Sequence, residues 1–345
     1  MRGLSLILKP LSWLYGLILW VRHQLYDRGF FFSKTFDQPI IKIGNLSFGG
    51  TGKSPMTICL AKALSNQTMV YILSRGYGRS TKGIQEVLVN SSHNEVGDEP
   101  LMMKKSLPEC RVFVAEDRVA GIHHINSLSN DKKLIILDDC LQHRRLRGGY
   151  EILLTEYSLP FYKDMLFPAG KLRDLKSRSE KVDMVVVTKT EDNGLAIPEL
   201  KEGIKNYTKS PVYHSSLKYL PYQNWFTGIE SQIQPNVLAV TAIANPTLFY
   251  KEVEKRSVIL ARFQYHDHHN FSVDNIRQWL DKCRTHGVIQ IVMTTKDAVR
   301  IMEFRSLFEE SGIEILVLPV EVYMDPLSWL DFLDRIKAYI NQFET

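Results

Sequence analysis

Four stretches of the chain carry residue types whose spacing suits phosphoryl chemistry. The first is KIGNLSFGGTGKSP, Lys42 to Pro55. Its Gly52, Lys53 and Ser54 fit the phosphate-loop pattern G-x-x-x-x-G-K-[ST], and Ser47 stands where the leading glycine belongs. Such a loop, here Ser47, Phe48, Gly49, Gly50, Thr51, Gly52, Lys53 and Ser54, wraps polyphosphate with consecutive backbone N–H groups, so side chains must be absent where the backbone approaches. Lys53 then reaches the terminal phosphates, Ser54 offers a hydroxyl to Mg²⁺, and a following helix points its positive end at the anion. The second stretch, KLIILDDCLQH, ends an apolar run with Asp138 and Asp139, two adjacent carboxylates that are costly without a cation and suit a metal at a strand end. The third, EVGDEP, sets Asp98 and Glu99 in a turn, which reads equally as a plain loop or as the place of a carboxylate that takes a proton from an attacking hydroxyl. The fourth, YHDHHNF, places three histidines around Asp267. It reads as a catalytic or orienting element, as a structural polar cluster, or as part of a zinc site that lacks a second ligand cluster.

Two further basic stretches offer phosphate contacts or plain surface charge: SRGYGR, with Arg75 and Arg79, and FPAGKLRD, with Lys171, Arg173 and Asp174.

The elements that must position these groups follow from the hydrophobic pattern. Apolar runs at Ile40–Ile43, Val70–Leu73, Arg111–Val114, Leu134–Leu137, Ile152–Thr155 and Met184–Val187 alternate with helical stretches, the rhythm of a mostly parallel sheet covered by helices. A second series, Val237–Val240, Ile289–Met293 and Ile315–Leu318, reads as a smaller α/β unit. The expected division is an apolar N-terminal segment over 1–28, a phosphate-loop domain over 29–215, a smaller α/β domain over 216–330 and a C-terminal helix over 331–345 that packs back on the first domain. The fold class is therefore α/β: a P-loop NTPase-like parallel-sheet domain, a second smaller α/β domain and an N-terminal membrane-associated helix.

Length and composition agree. The 345 residues suit about two domains, and a formal net charge of +5 is too weak to argue for nucleic acid. Four cysteines without C-x-x-C spacing fit free thiols on the cytosolic side. The N-terminus is almost continuously apolar from Leu4 to Val21, interrupted at Lys9-Pro10. It has no small-residue cleavage site, and Trp13, Tyr15 and Trp20 flanked by Lys9, Arg22 and Arg28 suit a helix lying in the membrane interface. A buried helix and a true span are the alternatives.

In order along the chain, GNLSFGGTGKSP, SRGYGR, GDEP, DDCLQHRRL, PAGKLRD, TAIANP, HDHHNF and TTKDAVR resemble the tetraacyldisaccharide 4'-kinase family, the lipid A kinases of Gram-negative bacteria. The resemblance runs from the N-terminus to about Arg300. It implies transfer of the ATP γ-phosphoryl to the 4'-hydroxyl of a tetraacyldisaccharide 1-phosphate, with Mg²⁺ as cofactor, on the cytoplasmic face of the inner membrane. The implied partners are the lipid A disaccharide precursor and that leaflet, with no nucleic acid and no protein partner. By the same resemblance Lys53 and Ser54 hold the nucleotide and Mg²⁺, and Asp138 and Asp139 hold the metal. Asp98 is the general base, paired with His268 or His269 and poised near neutral pH. Glu99, Arg118, His143, Arg173 and Asp174 support the site. The chain departs from the family pattern at Cys140-Leu141, Arg147-Gly148 and Thr295. A rival reading is a phosphate-loop switch or metal-insertion GTPase, because TKTED loosely matches N-K-x-D, with Thr188 and Glu191 as mismatches.

Overall fold

In the computed structural model, which describes residues 2–129, 131–190 and 197–343, strands and helices alternate through two sheets. The strands are β1 (Ile40–Asn45), β2 (Met69–Ser74), β3 (Gln85–Val87), β4 (Arg111–Val114), β5 (Lys133–Asp138), β6 (Tyr150–Glu156), β7 (Met184–Thr188) and β8 (Val212–His214). They form one sheet in the order β3-β4-β2-β5-β1-β6-β7-β8, parallel throughout except for β3. Continuous apolar runs such as Leu134–Leu137 are buried on both faces, as a helix-covered parallel sheet requires. Because the strands run one way, the loops after β1, β2, β5 and β7 all leave at one edge, where ligands of open α/β sheets bind.

The chain then forms β9 (Ser216–Tyr219), β10 (Gln223–Asn224), β11 (Asn236–Thr241), β12 (Val258–Gln264), β13 (Gln290–Thr294), β14 (Glu314–Leu318) and β15 (Val320–Tyr323). The second sheet has the order β10-β14-β13-β11-β12, with β10 antiparallel. An antiparallel ribbon of β9 and β15 stands apart from both sheets. The short strands β3, β9, β10 and β15 and the edge strand β12 are not among the runs that the hydrophobic pattern marks. In β12 the exposed positions alternate with half-buried ones, so no continuous apolar run announces it.

The helix Pro326–Ile340 is started by Asp325, whose side chain accepts the N–H groups of Leu327 and Ser328, with Pro326 in the first turn. Its Phe332 and Ile336 are buried with Ile41, Leu60 and Tyr213, and the Tyr339 hydroxyl bonds the backbone of Ile40, so this helix packs on the first sheet.

At the other end, α1 (Arg2–Asp27) is a single helix with Pro10 inside it. Among the described residues, no helix is long and apolar enough to cross a membrane. One side of α1 turns Ser12, Leu19 and His23 inward, while Trp13, Leu14, Leu17, Ile18 and Trp20 are each more than half exposed.

Candidate active site

The phosphate loop grows directly out of β1. Gly52 has φ 82°, a left-handed conformation that favours glycine, and caps α2 (Lys53–Leu64), so the N-terminus of that helix opens onto the loop. Asn45, the last residue of β1, donates to the Thr51 hydroxyl at 2.8 Å, and Thr188 at the end of β7 donates to the Thr51 carbonyl at 2.8 Å. Lys189 reaches the Gly50 carbonyl at 2.6 Å while paired with Glu156. The loop is thus braced from two neighbouring strands. Ser47 forms a bridge with Leu172, and Phe48 is half exposed, 5.7 Å from the Phe167 ring.

Asp138 and Asp139 lie beside this loop, because β5 is the strand paired with β1 and Asp138 stands in register with Ile43. Asp138 is buried, and among the described residues its side chain accepts hydrogen bonds only from neutral hydroxyls, those of Thr57 (3.2 Å) and Ser74 (3.3 Å). Burial, then the charges of Glu99 and Asp139, push its carboxyl up to about 7. Asp139 is treated differently: burial works against its charge, but Lys53 and Arg173 outweigh it and hold the carboxyl below its ordinary value. Lys53 Nζ lies 3.9 Å from Asp139, and the Arg173 guanidinium grips it with both terminal nitrogens.

This donor set fits Mg²⁺. Ser54, Asp138 and Asp139 offer only oxygen, and among the described residues no basic side chain bonds the buried Asp138 carboxylate directly. No group of three or more His, Cys, Asp or Glu residues is arranged to hold a metal among the described residues.

The second half of the site comes from the start of the helix Asp98–Ser106. Glu99 accepts the Ser54 hydroxyl at 3.0 Å, and its neighbour Asp98 faces the second sheet. His268 Nδ1 meets Asp98 Oδ2 at 2.9 Å, and Arg300 donates to the same oxygen through Nε (3.0 Å) and Nη2. Of the two histidines left open by the sequence, His268 is therefore the partner. Its left-handed φ of 59° turns the side chain of adjacent His269 elsewhere, onto His266 (3.1 Å), Asn275 (3.1 Å) and the stacked ring of Tyr265. Lys296 links the corner together, 2.9 Å from Glu99 and 3.3 Å from Asp267. Burial alone raises the Asp98 carboxyl, but His268, Lys296 and Arg300 overcome it and hold it well below the usual carboxylate range. The expectation of a base poised near neutral pH is corrected here, because two cations, Lys296 and Arg300, join His268 around the carboxylate where the sequence pointed to a histidine alone.

The remaining candidates divide. Arg118 is buried at the start of its helix and donates to the Asp139 carbonyl at 3.4 Å. His143 lies 3.7 Å from Asp117, and burial, then Arg118, push it down to about 4. Arg75 is exposed at the end of β2. Arg79 is spent on Glu116 and the Gly83 carbonyl, and so braces its own turn. Asp174 is fully buried and turns away from Asp139 to α1, where it meets His23 Nε2 at 2.6 Å. Tyr15 of α1 donates to the Arg173 carbonyl at 2.9 Å, and Ser12 accepts the Ala169 N–H. The segment 169–174 thus carries α1 on one side and Asp139 on the other.

Asn45, Thr57, Ser74, Lys296 and Arg300 were not singled out from sequence. Lys296 and Arg300 sit in TTKDAVR, where a lysine and an arginine four residues apart share a helical face, but nothing in that spacing points to Asp98, about 200 positions away. Glu191 of the TKTED stretch lies outside the described residues.

A family model described as Tetraacyldisaccharide-1-P 4'-kinase matches residues 4–338. A protein of Cytophaga hutchinsonii named tetraacyldisaccharide 4'-kinase is 35% identical over 335 residues, 96% of this chain and 95% of the relative. One of the same name from Bacteroides thetaiotaomicron is 35% identical over 97% of this chain and 93% of its own length. The crystal structure of the "apo" form LpxK from Aquifex aeolicus in complex with ATP superimposes with a TM-score of 0.76 at 28% identity, covering 96% of this chain and 99% of that one. These relatives are kinases by name, and none supports the switch reading. The chain belongs to the tetraacyldisaccharide 4'-kinase family.

Proposed function

We propose that the chain transfers the γ-phosphoryl group of ATP to the 4'-hydroxyl of a tetraacyldisaccharide 1-phosphate at a membrane surface. The observation that carries this reading is the join between the two half-sites: Ser54 of the phosphate loop bonds Glu99, and the next residue is the buried Asp98. The phosphate loop therefore bonds the residue next to the proton acceptor, which sets the two half-sites close together, as an in-line displacement onto a hydroxyl needs.

In this reading the phosphate loop and Lys53 hold the β- and γ-phosphates, and Arg173 and Arg118 face the charge that spreads over the transferring group. Bound at Ser54, Asp138 and Asp139, Mg²⁺ would neutralise phosphate charge. The acceptor oxygen forms a bond to the γ-phosphorus as the bond to the β,γ-bridging oxygen breaks, ADP leaves, and the hydroxyl proton passes to Asp98. A carboxylate held so low is a weak base but an ionised hydrogen-bond acceptor, which suits a loose transition state in which the proton leaves late.

The exposed apolar side of α1 supports a lipid acceptor met on the cytoplasmic leaflet of the inner membrane. Between α1 and the segment 164–176 lies a cavity of about 380 Å³, lined by Trp13, Met165, Leu166, Leu172 and Leu175 among others and suited to part of an acyl chain. The domain division at 28, 215 and 330 is part of the same reading.

The test is transfer of radiolabelled γ-phosphate from ATP to the lipid acceptor on anionic vesicles. Label in the lipid, dependent on Mg²⁺, is the expected result. Nucleotide hydrolysis indifferent to the acceptor would overturn the reading.

A further inference from the structure

Arg300 is a buried cation on the far side of the junction from the phosphate loop. Its side chain is 1% exposed, and all three guanidinium nitrogens are engaged. Nη1 donates to Asp297 at 3.2 Å and to the carbonyls of Ala242 and His269 at 3.5 Å, all belonging to the second sheet's own elements and loops. Nε and Nη2 cross the junction and converge on Asp98 Oδ2. The guanidinium itself is held from behind: Asp297 is buried and fixed by Thr294, whose hydroxyl lies 2.7 Å from its carboxylate, and Thr294 caps the short helix Thr295–Ala298. This geometry needs a rigid planar fork, which arginine has and lysine lacks.

The consequence falls on Asp98. Its Oδ2 receives His268 and both Arg300 donors, whereas among the described residues Oδ1 accepts only the Glu99 N–H at 2.9 Å. A carboxylate has about four lone-pair sites, two on each oxygen, so the open one lies on Oδ1, beside the site that takes the Glu99 N–H.

We propose that Arg300 is the positioning residue of the proton-accepting carboxylate: supplied by the second sheet, it occupies Asp98 Oδ2 with His268 and so presents Oδ1 to the acceptor hydroxyl. The base is assembled across the junction, and neither sheet unit holds it alone. Lys296, 2.9 Å from Glu99 and 3.4 Å from His268 Nε2, is a second strut of the same clasp. The proposal rests on the kinase reading above.

The experiment is a double-mutant cycle in the full chain with R300Q, R300K, D98N and D98N/R300Q, reading kcat and KM for transfer from ATP to the lipid acceptor on vesicles, beside thermal melts. R300Q is expected to lower kcat roughly tenfold to a hundredfold, the rate equivalent of a lost charge-assisted contact, with the KM for ATP within about twofold. R300K should fall between R300Q and the unaltered chain. D98N/R300Q should be no slower than D98N, because Arg300 acts through Asp98. Penalties that multiply in folded variants, or a raised KM with kcat intact, overturn the proposal. If R300Q does not fold, the same cycle with R300K decides between these outcomes. Transfer by the unaltered chain separates the two claims: without it the kinase reading fails and takes the proposal with it, whereas with it only the behaviour of Arg300 is at stake.

Discussion

Two pairs of adjacent acidic residues face each other across the site and have opposite electrostatics. At Asp138-Asp139 the buried first member is bonded, among the described residues, by hydroxyls alone, and its carboxyl is pushed up to about 7 by burial and by neighbouring carboxylates. At Asp98-Glu99 the buried first member has His268, Arg300 and Lys296 around it, and its carboxyl is held low although burial opposes this. Burial is similar and sequence context is similar, so the difference lies in where the compensating cations come from. Among the described residues, no basic side chain bonds Asp138. Asp98 has protein cations, and they come from the other sheet.

The largest expected effect breaks the second pair. Asp98→Asn should lower kcat by about 10²–10⁴ with little change in ATP affinity, since a positioned base matters mainly in the transition state. The same change leaves buried Arg300 facing a neutral group, which should cost about 3 kcal/mol in urea unfolding at pH 7. The sign is that of a carboxyl lowered on folding: the stability it contributes is present above the unfolded value and lost as pH falls through the lower folded one. The gap between the two proteins should therefore narrow below about pH 4. A pH-independent gap would mean that Asp98 stabilises by packing.

Lys53→Ala should cost about 10²–10³ in transfer rate, the typical loss on removing one preorganised charge at the transferring group. Its melting temperature should barely move, because Lys53 pairs loosely with Asp139 at 3.9 Å while Arg173 is retained. Near-normal turnover would remove the phosphate loop from the mechanism.

Asp138→Asn sharpens the contrast, for it should reduce activity yet stabilise the protein by about 1 kcal/mol in magnesium-free buffer at pH 8, a trade-off common at functional sites. Calorimetry of both asparagine variants under one condition compares them directly, and destabilisation by Asp138→Asn would show that its charge is already compensated.

The smallest effect concerns α1. Tyr15→Phe removes the bond to the Arg173 carbonyl, worth about 1 kcal/mol, and should slow transfer several-fold while vesicle flotation is unchanged. Loss of flotation instead would make Tyr15 a membrane contact.

Much of this was legible in the sequence because the information is local. The buried strands of the first sheet announce themselves as apolar runs, and Gly52-Lys53-Ser54 is a contiguous motif whose conformation depends on its own glycine. Asp138 and Asp139 are readable for the same reason, since they end such a run. Strand β12 was not, because its exposure alternates. Arg79 reads as a phosphate contact and Asp174 as a support of the site, yet Glu116 and His23 pair with them, and those partners lie 37 and 151 positions away.

By itself the sequence determined the chemistry available: a polyphosphate cradle, metal-binding oxygens, a carboxylate beside a histidine motif and an apolar helix with aromatic flanks. These rest on residue type and near-neighbour spacing, which the chain carries explicitly. Only the tertiary structure decided that His268 rather than His269 faces Asp98, that Arg300 fills one oxygen of that carboxylate, and that 169–174 links α1 to Asp139. Each is a contact between distant segments, and its direction depends on a backbone dihedral or on the junction of two sheets. Electrostatics of that kind belongs to the folded arrangement, because a carboxylate's behaviour is set by the charges within a few ångströms of it.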